Sequence, residues 1–181
     1  MIHRLVAGAL LMGLLSAGHS RAEVVDSSGA GFQVRSEAVV RAAPAAVYRA
    51  LVDRIGDWWD PEHTFSGNAR NLSLKAEPGG CFCERLPGGG GVRHLVVVYV
   101  SPGKELRLTG ALGPLQTGGV AGSMVWKLSQ AEAGTKVELS YSVGGYLPGG
   151  LARMAPPVDA VLGAQLTRLK SYVETGSPEP K

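Results

Sequence analysis

The 181-residue chain is 45% hydrophobic and 18% charged, with a formal net charge of +3 at neutral pH. This composition is typical of a single globular domain with a full hydrophobic core. The chain contains no run of Lys and Arg, which argues against nucleic acid or an anionic membrane as its partner.

The N-terminus has the pattern of a secretory signal peptide. A short basic start precedes an apolar run from Leu5 to Ala17, and the small residues of Ser20-Arg21-Ala22 suit a signal peptidase. The apolar run is too short to span a bilayer. We therefore expect residues 1–22 to be cleaved and the protein to be periplasmic or secreted, with no stable membrane insertion afterwards. Cleavage would remove two basic residues and no acidic one, which leaves a nearly neutral chain.

The next residues, 23–31, are polar and glycine-rich, and we predict a flexible N-terminus there. The segment from Phe32 to Arg41 alternates apolar and polar residues and predicts a strand. "APAAVYRALVDRIG" then changes to helical spacing, and two short helices are expected between this strand and the rest of the sheet.

Six further strands are predicted by period-two alternation between glycine-rich connections: "NLSLKAE", "CFCERL", "VRHLVVVYV", "ELRLTG", "SMVWKLS" and "KVELSYSV". The segment "PPVDAVLGAQLTRLKSYVETG" returns to helical spacing and predicts one long helix that Pro157 opens and Gly176 closes. Residues 177–181 are predicted to be a disordered tail.

This order of elements predicts an α+β domain over residues 32–176. Seven antiparallel strands would form a curved sheet wrapped around the long C-terminal helix. A helix that crosses a strongly bent sheet leaves unfilled space beneath it, so we expect a cavity between the two.

The sequence resembles the START-like helix-grip superfamily, also called SRPBCC, which includes polyketide cyclase/dehydrase and lipid-transport proteins, pollen-allergen-like carriers and activator-of-heat-shock-ATPase homologues. The resemblance is carried by "RAAPAAVYRALVDRIGDWW", "EPGGCFCERLPGGGG", "VVVYVSPGKELRLTG", "GTKVELSYSVGGY" and the terminal helix. It implies the helix-grip fold. It says little about activity, because one fold hosts many functions.

Both cysteines, Cys81 and Cys83, lie one residue apart on a predicted strand. They would face the same side with Cα atoms roughly 6.6 Å apart, so a disulfide would require a bulge or strain. Three interpretations remain open: inert packing, a redox-active pair, or a copper(I) or zinc site. The metal site requires a hairpin register that places His94 opposite Cys83; a turn one residue longer would turn His94 away.

A second candidate site is "WWDPEHTFSG", which concentrates aromatic and polar groups where helix-grip proteins have a cavity mouth. His63 lacks an evident acid–base partner, and neither a Ser-His-Asp order nor paired carboxylates stand out. The alternative interpretation is a turn in which one tryptophan caps the core.

We therefore predict a protein that binds a small hydrophobic or amphipathic ligand, lipid- or polyketide-like, and that uses no cofactor and no bound metal. The alternatives are a cyclase- or hydrolase-like enzyme that uses His63 or His94, and a redox or metal-handling protein that uses the two cysteines. The sequence makes no prediction of the oligomeric state. The predicted ligand-binding residues are Trp59, His63, Cys81, Cys83, His94, Met124, Trp126, Tyr141, Leu162 and Leu166.

Overall fold

The computed structural model describes residues 21–180 as an α+β fold with one antiparallel sheet and a C-terminal helix. The strands are β1 (Arg21–Ser27), β2 (Gly31–Val40), β3 (Leu72–Leu74), β4 (Cys81–Arg85), β5 (Gly91–Ser101), β6 (Glu105–Thr109), β7 (Gly119–Ala131) and β8 (Gly134–Tyr146). The helices are α1 (Pro44–Asp53), α2 (Ile55–Trp58) and α3 (Ala155–Thr175).

The sheet has eight strands in the order β1-β2-β8-β7-β6-β5-β4-β3, and all neighbours are antiparallel. The prediction of seven strands was therefore wrong by one. The additional strand is β1, which occupies much of the segment 23–31 that was expected to be flexible. Its adjacent valines, Val24 and Val25, are both exposed, so no alternation marks it in the sequence. As an edge strand it is held by main-chain pairing with β2, and Ala22 approaches Gly163 of α3 where a side chain would not fit.

The helix α3 covers only one side of the sheet. It packs on β1 and β2, and α1 and α2 lie beside it. Leu162, Leu166 and Leu169 carry its buried face, four and three residues apart as a helical stripe requires. The helix ends at Gly176, whose φ of +79° is the left-handed conformation that glycine adopts most readily. The far part of the sheet, from β6 to β3, is left partly uncovered by α3.

The segment after α3 turns back along that helix. Ser171 Oγ donates a hydrogen bond to the carbonyl of Glu179 at 2.8 Å, and Arg168 forms an ion pair with the Glu179 carboxylate at 3.0 Å. Glu179, in the predicted disordered tail, therefore contacts α3. The predicted signal peptide lies outside the described residues except for its last two, which begin β1. Within residues 21–180, no helix has both the length and the apolar character needed to cross a membrane.

Candidate functional site

A partly open cavity of about 340 Å³ lies between the N-terminal half of α3 and the part of the sheet that this helix does not cover. Its wall is mainly apolar, and its polar members are concentrated in the turn after α2. The lining residues are Trp59, Glu62, His63, Thr64, Phe65, Leu72, Phe82, His94, Leu112, Gly113, Pro114, Met154, Pro157, Val158, Val161 and Leu162.

Four of the predicted ligand-binding residues border this cavity: Trp59, His63, His94 and Leu162. The structure places the other six elsewhere, and whether any of the ten binds a ligand stays a prediction. Periodicity shows which side chains face inward, but it does not show which part of the inner face the helix leaves open. The four core residues away from the cavity are Met124, Trp126, Tyr141 and Leu166, and the two on the outer face of β4 are Cys81 and Cys83.

Met124 and Trp126 lie on β7, and Leu166 lies one turn of α3 beyond Leu162. Trp126 packs edge-on against Trp58 with ring centroids 6.3 Å apart. These side chains fill the space that the helix covers, so they support the cavity floor from behind instead of lining it.

Tyr141 acts through the loop that closes one side of the cavity. Its hydroxyl donates a hydrogen bond to the carbonyl of Gly110 at 2.9 Å and accepts one from the backbone N–H of Leu112 at 3.1 Å. Burial raises the pKa of Tyr141 to about 12, so the hydroxyl keeps its proton at any physiological pH. Tyr141 is therefore a positioning residue for Leu112 and its neighbours in the wall.

The turn after α2 forms the mouth. Trp59 Nε1 donates a hydrogen bond to the carbonyl of His63 at 3.2 Å, and the backbone N–H of Asp60 donates to Gln165 Oε1 of α3 at 2.9 Å. His63 Nδ1 lies 3.4 Å from Asp60 Oδ2, and its side chain is 37% exposed. His63 is therefore a solvent-exposed residue at the rim.

The buried polar feature of the cavity wall is a pair that the sequence analysis did not assemble, Glu84 and His94. His94 Nε2 lies 3.0 Å from Glu84 Oε2, and the side chains are 6% and 0% exposed. Glu84 also accepts hydrogen bonds from the backbone N–H groups of Phe65 at 3.1 Å and Ser66 at 2.5 Å. A sequence signal for Glu84 exists, because it stands two residues after Phe82 and so shares the inward face of β4 with that apolar residue.

A β-bulge brings His94 inward. Cys83 pairs with Arg93 and Phe82 pairs with Leu95, so His94 is an extra residue of β5 without a partner in β4. The bulge lets His94 and Leu95, which are consecutive, both be buried. The register in which Cys83 lies opposite His94 does not occur, and a metal site of Cys81, Cys83 and His94 is therefore ruled out by geometry. Within residues 21–180, no three His, Cys, Asp or Glu side chains are arranged to hold a metal ion.

Aromatic rings surround His94. The ring of Phe82 has its centroid 5.0 Å from that of His94, and Phe65 stacks on the imidazole at 5.9 Å. Trp59 packs edge-on against Phe82 at 5.3 Å. The imidazole is thus held in an apolar environment with Glu84 as its one charged neighbour at hydrogen-bonding distance.

The charges of the pair follow from this environment. Burial alone would raise the pKa of Glu84, but the hydrogen bonds from Ser66, Phe65 and His94 outweigh burial and hold this pKa below its ordinary 4.5. Burial lowers the pKa of His94 below its ordinary 6.5, although the Glu84 carboxylate opposes that shift. At neutral pH the pair is an ionised carboxylate beside a neutral imidazole.

Cys81 and Cys83 form a disulfide on the opposite face of β4 from Glu84. Their Cα atoms are 5.4 Å apart, which is shorter than the roughly 6.6 Å of a regular strand and lies within the range that a disulfide accepts. This shortening of β4 lies opposite the extra residue of β5. The bulge expected to accompany a disulfide is therefore in the neighbouring strand β5 and not in β4 itself.

The fold and the cavity define a class of protein in which an antiparallel sheet and a C-terminal helix enclose a pocket. The chain belongs to the family described as polyketide cyclase / dehydrase and lipid transport, which matches residues 31–174. This confirms the resemblance to the SRPBCC superfamily. No curated protein matches the sequence.

Solved structures share the fold at low sequence identity. A conserved protein of unknown function, EF2215 from Enterococcus faecalis, has a TM-score of 0.62 at 18% identity, covering 89% of this chain and 82% of that one. CalU16 from Micromonospora echinospora has a TM-score of 0.59 at 17% identity, covering 91% and 88%. The Aha1 dimer from Colwellia psychrerythraea has a TM-score of 0.54 at 17% identity, covering 88% and 98%.

The disulfide is expected to contribute little to stability. It closes a loop of only three residues, and chain entropy then assigns it about 1.6 kcal/mol. Urea denaturation of the oxidised and reduced protein, followed by the fluorescence of the buried tryptophans, should show a difference of this size. A reduced protein that no longer unfolds cooperatively would contradict this expectation.

The stability of the protein should fall as the pH is lowered. Both members of the pair have folded-state pKa values below their ordinary ones, so the unfolded chain binds more protons than the folded one at low pH. The contribution of His94 to stability is therefore lost as the pH falls below about 6.5, and that of Glu84 as the pH falls below about 4.5. Urea denaturation of His94→Gln at pH 5 to 8 should show a weaker pH dependence than the wild type. His63→Gln, which changes the exposed histidine, is the control and should follow the wild type; equal slopes for the wild type and His94→Gln would contradict the assignment.

Proposed function

We propose that the protein binds a small hydrophobic or amphipathic molecule, lipid- or polyketide-like, in the cavity between α3 and the sheet. The observation that carries this proposal is the mainly apolar cavity of about 340 Å³, which lies within the usual size range of small-molecule sites. Membership of a family that includes lipid-transport proteins supports it.

The driving force for binding would be the burial of apolar surface. Phe65, Val158 and Val161 are the more exposed apolar parts of the wall, and their cavity-facing surface is removed from solvent when an apolar ligand enters. Each Å² of apolar surface so removed contributes roughly 25 cal/mol. Leu72, Phe82 and Leu162 also line the cavity but are already largely buried, so they contribute less of this area.

Filling the cavity should abolish binding. Val161→Trp places a large side chain in the cavity, whereas Ala164→Trp adds the same side chain to the exposed face of the same helix. Titration with the neutral fluorescent probe N-phenyl-1-naphthylamine should show binding to the wild type and to Ala164→Trp, and at least a roughly tenfold loss in Val161→Trp. A wild-type protein that takes up no apolar probe would overturn the proposal.

A second candidate is an acid–base enzyme of the cyclase or hydrolase type, and the buried Glu84–His94 pair favours it. A carboxylate that orients a neutral imidazole is an arrangement suited to proton transfer. His94 fits this role better than His63, because His63 is exposed at the rim and is 3.4 Å from Asp60. Incubation of a co-purified ligand with wild-type and His94→Gln protein distinguishes the candidates, since a change in ligand mass that requires His94 identifies an enzyme.

We also propose that the protein is exported and that residues 1–22 are its cleaved signal peptide. The apolar run and the small residues before Glu23 support this, and the Cys81–Cys83 disulfide suits an oxidising compartment. Sequencing the N-terminus of protein recovered from the periplasm should give a start at Glu23. A retained Met1 would contradict the proposal. Cleavage there would shorten β1 by two residues.

A further inference from the structure

We propose that the cavity selects neutral apolar ligands that carry a hydroxyl group, an alcohol, phenol or enol, and that Nδ1 of His94 accepts the hydrogen bond from this hydroxyl. This inference rests on the proposed binding function and specifies its ligand. It follows from the way in which Glu84 determines the proton position on the imidazole.

An ionised carboxylate can only accept hydrogen bonds. Glu84 accepts from the backbone N–H groups of Phe65 and Ser66 and from the Ser66 side chain, and it also lies 3.0 Å from His94 Nε2. The nitrogen that faces an acceptor must carry the proton. Nε2 of His94 is therefore the protonated nitrogen, and Nδ1 has a free lone pair.

This lone pair lacks a partner within the protein. Nδ1 of His94 forms no hydrogen bond with any described residue. The His94 side chain is only 6% exposed, and it borders the cavity. The two nitrogens of the ring point in different directions, so Nδ1 faces away from Glu84. A donor group on the ligand would supply the missing hydrogen bond.

The remaining polar groups around the cavity do not offer a comparable site. Glu62 and His63 are exposed in the turn at the mouth, and Thr64 is partly exposed beside them. Among the side chains of residues 22–180 that line the cavity, His94 is the buried polar one. The rings of Phe65 and Phe82 flank it, so an apolar body attached to the hydroxyl would meet apolar surface.

An anionic head group is disfavoured by the same arrangement. No Lys or Arg of the described residues lines the cavity, and the ionised Glu84 lies directly behind the imidazole. A bound carboxylate would require His94 to be protonated in an environment where burial opposes the charge. A ketone or ether is disfavoured for another reason, because its oxygen and Nδ1 are both acceptors.

Three probes with a common ring system test this selection. 1-Naphthol carries the hydroxyl, 1-methoxynaphthalene lacks the donor, and 1-naphthoate carries a negative charge. Calorimetric titration at pH 7 should give an affinity for 1-naphthol roughly tenfold above that for each of the other two. In His94→Phe, which keeps an aromatic ring but has no acceptor, the preference for 1-naphthol over 1-methoxynaphthalene should disappear.

The proton position can be measured in the wild type, which keeps the test independent of how the variant folds. ¹⁵N NMR of histidine-labelled protein should show His94 as the Nε2–H tautomer at pH 7. The Nδ1–H tautomer, or equal affinities for the three probes, would overturn the inference and leave the proposed function intact. If none of the three probes binds, the proposed function fails as well.

Discussion

A buried, ionised carboxylate is the constraint on which the candidate site depends. Taking the charge of Glu84 out of water is unfavourable unless donors surround it, and here the donors come from two other parts of the chain. The backbone of Phe65 and Ser66 belongs to the turn after α2, Glu84 to β4, and His94 to the bulge of β5. Satisfying one carboxylate therefore joins the mouth of the cavity to its wall and sets the orientation of the imidazole.

The cavity itself results from the unequal coverage of the sheet. The helix α3 packs on β1 and β2, and the core beneath it is filled by side chains such as Trp126 and Leu166. Toward β3, β4 and β5 the sheet continues beyond the helix, and the turn after α2 and the loop around Leu112 border the remaining space. Tyr141, in the covered part of the sheet, accepts a hydrogen bond from Leu112 of that loop. A residue of the filled core thus holds one wall of the cavity in position.

Much of this architecture could be predicted from local pattern. Period-two alternation located the strands that carry an inward face, and helical spacing located α3 up to its glycine cap at Gly176. The edge strand β1 was not predicted because both of its valines are exposed. It is stabilised by main-chain pairing with β2, which leaves no pattern of apolar residues in the sequence. The orientation of His94 could not be decided from sequence because it depends on the register of a glycine-rich hairpin and on a bulge. Glu84 was within reach, since Phe82 two residues earlier marks its face, but a lone acidic residue in a strand ordinarily indicates a solvated position.

The bulge also shows how a buried imidazole at this position can be gained or lost. On either side of His94 the pairing of β4 with β5 is regular, with Arg93 opposite Cys83 and Leu95 opposite Phe82. Removing His94 alone would join these two registers into an unbroken ladder in which Arg93 points outward and Leu95 inward. Loss of a single codon would thus remove the buried imidazole from the cavity wall while the strands kept their partners, and gain of a single codon would insert it. In this hairpin the length of β5, and not only the identity of its residues, therefore determines whether an imidazole faces the pocket.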